Sequence, residues 1–278
     1  MKTIIVPTDY SPVAINAMEY ALGLAQSIGA TITLLHVYQA PVLYNNSDIP
    51  LPLLDLDELA KINREKMDQL LDQAKKHAPT TLVINTETRL GNLTDELNDI
   101  CKALQPFAIV MGTKGACFVE RLLIGSSTLS AIRHLTTPVL VVPPGAKYMP
   151  IQQIGFATDL KKAVEAGPAK AIEDWVKTFD ANLRIINVDE HHANVRDTAE
   201  QAVAMYHLFR DLNPTYHYID NPEVETGLSA FAESNELHLL IVIPQKHRFL
   251  DLLFQKSHTR DLIFHSQIPI FMKRGRNL

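Results

Sequence analysis

The sequence is poor in the features that mark several protein classes. Only two cysteines, Cys101 and Cys117, stand among 278 residues, too few for a disulfide framework and without metal-site spacing. A reducing compartment is expected. No apolar run reaches the roughly 18 residues of a membrane-spanning helix. The opening Met1-Lys2-Thr3-Ile4-Ile5-Val6-Pro7 lacks the cationic stretch and long apolar core of a secretory leader. No membrane partner is expected, and the cytoplasm is the expected location. An excess of positive charge is also missing, since the net charge is −5. That balance gives no polyanion-seeking surface, and nucleic acid is set aside as a partner.

What is present is ordinary globular composition, 46% hydrophobic and 21% charged. The length suggests roughly two domains, each large enough to bury its own core. Short β-branched runs alternate with longer amphipathic stretches through the first half, the signature of βαβ units building a parallel sheet. The pattern predicts strands at Thr3 to Val6, Thr31 to His36, Thr81 to Glu87, Phe107 to Met111 and Val139 to Val142. Helices are predicted between them at about Pro12 to Ile28, Asp55 to His77, Asn92 to Leu104 and Ser126 to Leu135.

Pro143-Pro144-Gly145-Ala146 is a turn-rich break, after which the same order of elements begins again. A shift of 150 residues lays Phe156-Ala157-Thr158-Asp159 over Val6-Pro7-Thr8-Asp9. A shift of 151 lays Ile185-Ile186-Asn187-Val188 over Leu34-Leu35-His36-Val37. Later, a shift of 131 aligns Ser126 with Ser257, Thr128 with Thr259, His134 with His265 and Pro138 with Pro269. Matches at a fixed offset argue for a duplication, with one unit over residues 1–146 and a second over 147–278. The residues between the two offsets fall mainly on Gln39 to Leu54, read as an irregular surface loop.

The chemistry is carried by Met111-Gly112-Thr113-Lys114-Gly115, followed after nine residues by Gly125-Ser126-Ser127, between an apolar strand and a helix. Such a spacing arises by chance on the order of once in a hundred chains of this length. Glycines at a strand-to-helix turn permit positive φ and close approach to a ligand, and exposed N–H groups there make an anion-binding concavity. The helix opening at Ser126 adds free N–H groups and the positive end of its dipole. Alternatively, the glycines only make a tight turn and Ser126 only caps the helix. The spacing is neither a Walker loop nor a GxGxxG dinucleotide fingerprint. Asp9, at the carboxyl end of the first strand, can accept hydrogen bonds from a ribose or a base amino group, or can cap the helix near Pro12.

Gly112-x2-Gly115-x9-Gly125-Ser126, with Asp9 after the first strand and the closing Thr137-Pro138-Val139-Leu140-Val141-Val142, resembles the universal stress protein family. The resemblance implies two tandem doubly wound α/β domains of the adenine-nucleotide alpha-hydrolase-like type. Each would have a five-stranded parallel sheet with helices on both faces, and the two would form a pseudo-dimer within one chain. It implies ATP as ligand, with AMP or ADP as alternatives, accompanied by Mg or Mn. Asp9, with Pro7 and Thr8 beside it, and Val37 map to the adenosine end. Met111, Gly112, Gly115, Gly125, Ser126 and Ser127 map to ribose and phosphates. Family members commonly pair through the last strand, here Val139 to Val142 against Ile268 to Met272, and a further homodimer is compatible with this.

The second copy departs where the chemistry lies. Gly112, Gly115 and Gly125 become Ile243, Lys246 and Lys256, although Asp159 and Ser257 survive. Nucleotide is therefore expected in the first half only. Asp189-Glu190-His191-His192 is the sole hint of a metal site, and adjacent side chains rarely converge on one ion. No nucleophile or base is evident, so the expectation is a stress-response or regulatory nucleotide binder with at most weak ATP hydrolysis. A nucleotidyl-transfer enzyme and a nucleotide-free interaction module acting on protein partners are the competing readings.

Overall fold

The computed structural model describes residues 1–40, 55–113, 125–158, 166–189, 199–243 and 268–273. The Gln39 to Leu54 loop lies almost wholly outside them. So do Lys114, Gly115, Cys117, Asp159, Glu190 to His192, Lys246, Lys256, Ser257 and His265.

Ten strands alternate with seven helices among the described residues. The first half runs β1 (Thr3–Pro7), α1 (Pro12–Ile28), β2 (Thr31–Tyr38), α2 (Leu56–His77), β3 (Ile84–Leu90), α3 (Leu93–Leu104), β4 (Ala108–Gly112), α4 (Ser126–His134) and β5 (Val139–Val142). The second runs β6 (Gln153–Ala157), α5 (Ala166–Phe179), β7 (Asn182–Asp189), α6 (Ala199–Phe209), β8 (Thr215–Asp220), α7 (Val224–Ser234), β9 (Leu239–Val242) and β10 (Ile270–Met272).

Local chemistry explains the helix boundaries. Ser11 caps α1, accepting from the Ala14 N–H, and Pro12 follows as the first helical residue. Gly29, at φ 61, ends it in the left-handed conformation that costs glycine least. The predicted starts at Asp55 and Asn92 prove to be the N-caps of α2 and α3, their carboxylate and amide oxygens accepting from Asp57, Glu58 and Thr94 N–H groups. β3 starts three residues later than predicted. Leu82 N–H donates to the Pro79 carbonyl in a turn, so the apolar Leu82-Val83 pair precedes the strand. β3 itself lies at the sheet margin, with no fully buried residue and with Asn85 and Leu90 exposed.

The strands join into one sheet in the order β3-β2-β1-β4-β5-β10-β9-β6-β7-β8. Each half contributes five strands that pair parallel, and both have the same internal order. The halves meet where β5 and β10 pair antiparallel, with Ile270 opposite Val141, Phe271 opposite Leu140 and Met272 opposite Val139. This is the expected pairing of the two last strands. The carboxyl ends of the two sets of strands therefore point to opposite edges of the sheet.

Side chains alternate between the two faces, as period-two strands require. Ile4, Val6, Ile32, Leu34, Val110, Leu140 and Phe271 pack under α1, α2, α5 and α6. Ile5, Leu35, Ile109, Met111, Val141 and Met272 pack under α3, α4 and α7. Both cores run across the junction between the halves. Trp175 of α5 stacks on Phe107 with ring centroids 4.9 Å apart and meets Phe271 edge-on at 4.8 Å. Lys2 Nζ lies 4.7 Å from the Phe107 centroid and donates to Thr178 Oγ1 at 2.7 Å. The connection between β5 and β6 lies against α1, where Tyr148 meets Tyr20 edge-on and Asn16 Nδ2 donates to the Pro143 carbonyl.

Candidate functional site

The strand order reverses between β1 and β4, because α1 leads outward to β2 while the chain after β3 returns to the other side of β1. In open α/β sheets ligands bind outside the carboxyl ends of the strands at such a switch point. Pro7, Thr8 and Asp9 leave the end of β1, and Met111 and Gly112 end β4 beside it. Val37 lies near the end of β2, two residues past the Pro7–Leu35 pair. Six of the ten predicted residues thus share one edge of three adjacent strands.

The other three described residues begin α4. Gly125 is its N-cap, at φ −59 and ψ 145, and among the described residues no side chain caps the first-turn N–H groups. Ser126 opens the helix and does not cap it. Ser126 and Ser127 are both exposed. The end is held to β4 by Thr128, a residue that motif spacing missed: its buried hydroxyl donates to the Gly112 carbonyl at 3.0 Å. Its match with Thr259 at the repeat offset was the available signal. A second tie joins Thr94 Oγ1 of α3 to Ser130 Oγ of α4 at 2.8 Å. The tenth residue, Gly115, lies outside the described residues.

Gly112 needs its missing side chain for a different reason from the one expected. Its φ is not positive. A Cβ there would stand 2.5 Å from the Val13 carbonyl oxygen, so the glycine lets the first turn of α1 press onto the end of β4. Thr113, the next residue, is fully buried, and its hydroxyl has no hydrogen-bond partner among the described residues.

The turn after β1 is fixed from three directions. Thr8 N–H donates to the Leu35 carbonyl at 2.8 Å, continuing the ladder to β2. Tyr10 N–H donates to Thr8 Oγ1 and Ser11 N–H to Asp9 Oδ1, both at 3.0 Å. Asp9 itself is exposed and does not cap α1, since Ser11 takes that position. These bonds hold Tyr10 at φ 64, a left-handed conformation costly for a bulky residue. Beneath the turn, His36 Nδ1 meets the Thr8 carbonyl at 2.7 Å and Nε2 meets Asn63 Oδ1 at 3.1 Å. The Tyr10 ring lies 4.5 Å from the imidazole, and burial raises the Tyr10 hydroxyl to about 12.

In the second half the backbone frame recurs with other side chains. Thr158 N–H donates to the Ile186 carbonyl, and Asn187 Nδ2 takes the place of His36, donating to the Thr158 carbonyl at 3.0 Å. Ile243 stands at the position of Gly112, its half-buried side chain packed on the core. Among the described residues no cluster of three or more His, Cys, Asp or Glu is arranged to hold a metal ion, and no helix is long and apolar enough to cross a membrane.

Known proteins resemble this chain in sequence and in fold. The chain is 32% identical over 143 residues to universal stress protein MJ0531 of Methanocaldococcus jannaschii, covering 51% of this chain and 81% of that protein. It is 30% identical over 151 residues to universal stress protein G of Escherichia coli O157:H7, covering 51% of this chain and 98% of that one. The fold extends the likeness to both halves: a universal stress protein structure from Archaeoglobus fulgidus superposes with a TM-score of 0.75 over 98% of each chain at 19% identity. A putative universal stress protein from Pseudomonas aeruginosa superposes at 0.60 over 99% of this chain and 93% of that one, at 12% identity. Residues 1–143, which hold the switch point and both ends of the glycine spacing, match the family model described as the universal stress protein family, and the chain belongs to that family.

Proposed function

We propose that this protein is a regulatory nucleotide binder that holds one ATP, with Mg or Mn, in a unit spanning residues 1–146, and that the unit over 147–278 does not bind nucleotide in the same way. Asp9 with Pro7 and Thr8, and Val37, would hold the adenosine. Met111, Gly112, Gly115, Gly125, Ser126 and Ser127 would hold ribose and phosphates, the cation arriving with the phosphates as hard oxygen ligands favour.

The observation that carries the reading is the start of α4. Its N-cap is a glycine, its first N–H groups have no side-chain cap among the described residues, and it stands beside the carboxyl ends of β1 and β4. An uncapped helix N-terminus with its dipole is suited to an anion. The one-site reading is supported by Ile243, which puts a branched side chain where the first half has none.

Calorimetric titration of the full chain with Mg-ATP is expected to give one site per chain. Gly125→Asp supplies α4 with its own carboxylate cap. It is expected to raise stability by a few tenths of a kcal/mol while lowering ATP affinity at least about tenfold through like-charge repulsion. A stoichiometry of two overturns the one-half assignment. Absence of binding heat, together with no nucleotide released from purified protein on denaturation, overturns the nucleotide reading.

A further inference from the structure

We infer that Thr113 is a further ligand-contact residue of the candidate site, its hydroxyl donating to a phosphoryl oxygen of the ligand; the inference rests on the nucleotide reading above and extends it. Two independent observations meet at this residue. The first is the hydroxyl itself. Thr113 is 0% exposed, and its Oγ1 is closed to solvent without a hydrogen-bond partner among the described residues. A buried hydroxyl left unpaired costs stability, and a folded chain that keeps one needs a reason to do so. Packing supplies none, because valine has nearly the same shape and brings no polar atom.

The second observation is where the backbone sets it. Ile109 N–H donates to the Pro138 carbonyl, and Thr113 N–H, four residues on, to the Val142 carbonyl at 3.2 Å, so the β4–β5 ladder continues through Thr113. Alternation then puts its side chain on the face of Ile109 and Met111, the face that α3 and α4 cover. α4 begins over the same strand end, since buried Thr128 in its first turn donates to the carbonyl of Gly112, the residue before Thr113. That helix start has a glycine N-cap and no side-chain cap among the described residues. Its N–H groups and dipole favour an anion, and a phosphoryl oxygen can only accept. The unpaired hydroxyl and the uncapped N–H groups therefore offer the same kind of donor at the same end of β4, where the strand order reverses.

The duplication supplies a comparison within the chain. The shift of 131 residues that sets Ile243 against Gly112 sets Pro244 against Thr113. Proline has neither a hydroxyl nor an N–H, so the half read as not holding nucleotide also lacks this donor.

The test uses the full chain and the variants Thr113→Val and Thr113→Ser, titrated by calorimetry with adenosine, AMP and ATP, each with magnesium, and with pyrophosphate. Thr113→Val is expected to lower the affinity for AMP and ATP about tenfold or more, as the loss of a hydrogen bond to a charged group does, and to leave adenosine unchanged. Thr113→Ser, which keeps the hydroxyl, is expected to stay within about threefold of the wild type for each ligand. Without ligand, the urea midpoint of Thr113→Val is expected to equal or exceed that of the wild type, whereas a hydroxyl with a structural partner would lower it. Unchanged AMP and ATP affinities in Thr113→Val, an equal loss for adenosine, or a lower urea midpoint overturns the inference. The nucleotide reading fails separately. If the wild-type chain binds pyrophosphate but neither adenosine, AMP nor ATP, that reading falls, and Thr113 is judged by whether Thr113→Val lowers pyrophosphate affinity to the same extent. Binding of adenosine alone, or of none of the four, overturns the assignment of Thr113.

Discussion

Gly112 sits where a Cβ would press on the Val13 backbone oxygen at 2.5 Å, and backbone cannot swing aside as a flexible side chain can. Gly112→Ala is expected to cost about 1–3 kcal/mol by overpacking, read as a lower urea midpoint with unchanged slope. The thiol of Cys101 is raised by burial, an effect that a hydrogen bond with Thr137 opposes. Its alkylation at pH 7.5 is expected to be several-fold slower than that of a free thiol at the same pH, measured by mass spectrometry of the tryptic peptide. Tyr10 carries a pH dependence whose sign can be worked out. Its hydroxyl is raised from 10.0 to about 12 by burial, so the folded chain keeps this proton where the unfolded chain has lost it. The corresponding stability is whole below pH 10 and is lost as pH rises from 10 to 12. Urea midpoints over that window, compared with those of Tyr10→Phe, are expected to show the smaller fall in the variant.

At the scale of elements, the start of α4 depends on its tie to β4. Thr128→Val keeps the shape and removes the hydroxyl that donates to Gly112 at 3.0 Å. A part-buried carbonyl losing its partner is expected to cost about 1 kcal/mol, and ATP affinity is expected to fall with it because the helix end is no longer registered on the strand. Calorimetry and chemical denaturation of the same variant check both. Elements whose own residues decide their structure were legible in the sequence. α1 announces itself by Pro12 and Gly29, and β4 and β5 by unbroken apolar runs. β3 was displaced because a strand at the sheet margin is half-buried, and Leu82-Val83 outweighed its alternation. The glycine spacing marked the site because strand, turn and helix are consecutive there. The purpose of Gly112 was hidden, since the atom it avoids belongs to α1, far earlier in the chain. Likewise the bonds among Thr8, His36 and Asn63 join β1, β2 and α2, and no local pattern links them.

The whole molecule is held by cores that ignore the boundary between its halves. Trp175, the single tryptophan, is 1% exposed and packs between Phe107 of the first half and Phe271 at the junction strand. Tryptophan fluorescence and far-ultraviolet dichroism are therefore expected to follow one coincident transition in urea, and separate transitions would contradict shared packing. Phe271→Ala is expected to lower the midpoint of both signals together, by about 3–5 kcal/mol of stability. The antiparallel meeting of β5 and β10 gives the chain the form of a symmetric pair joined by a tether. In a pair of separate identical subunits, a substitution at the Gly112 position would fall on both partners, and their association would weaken on dilution. In a single polypeptide the neighbour is present at any concentration, and a replacement such as isoleucine at 243 touches one partner alone. The covalent link thus allows the two edges of one sheet to carry different chemistry.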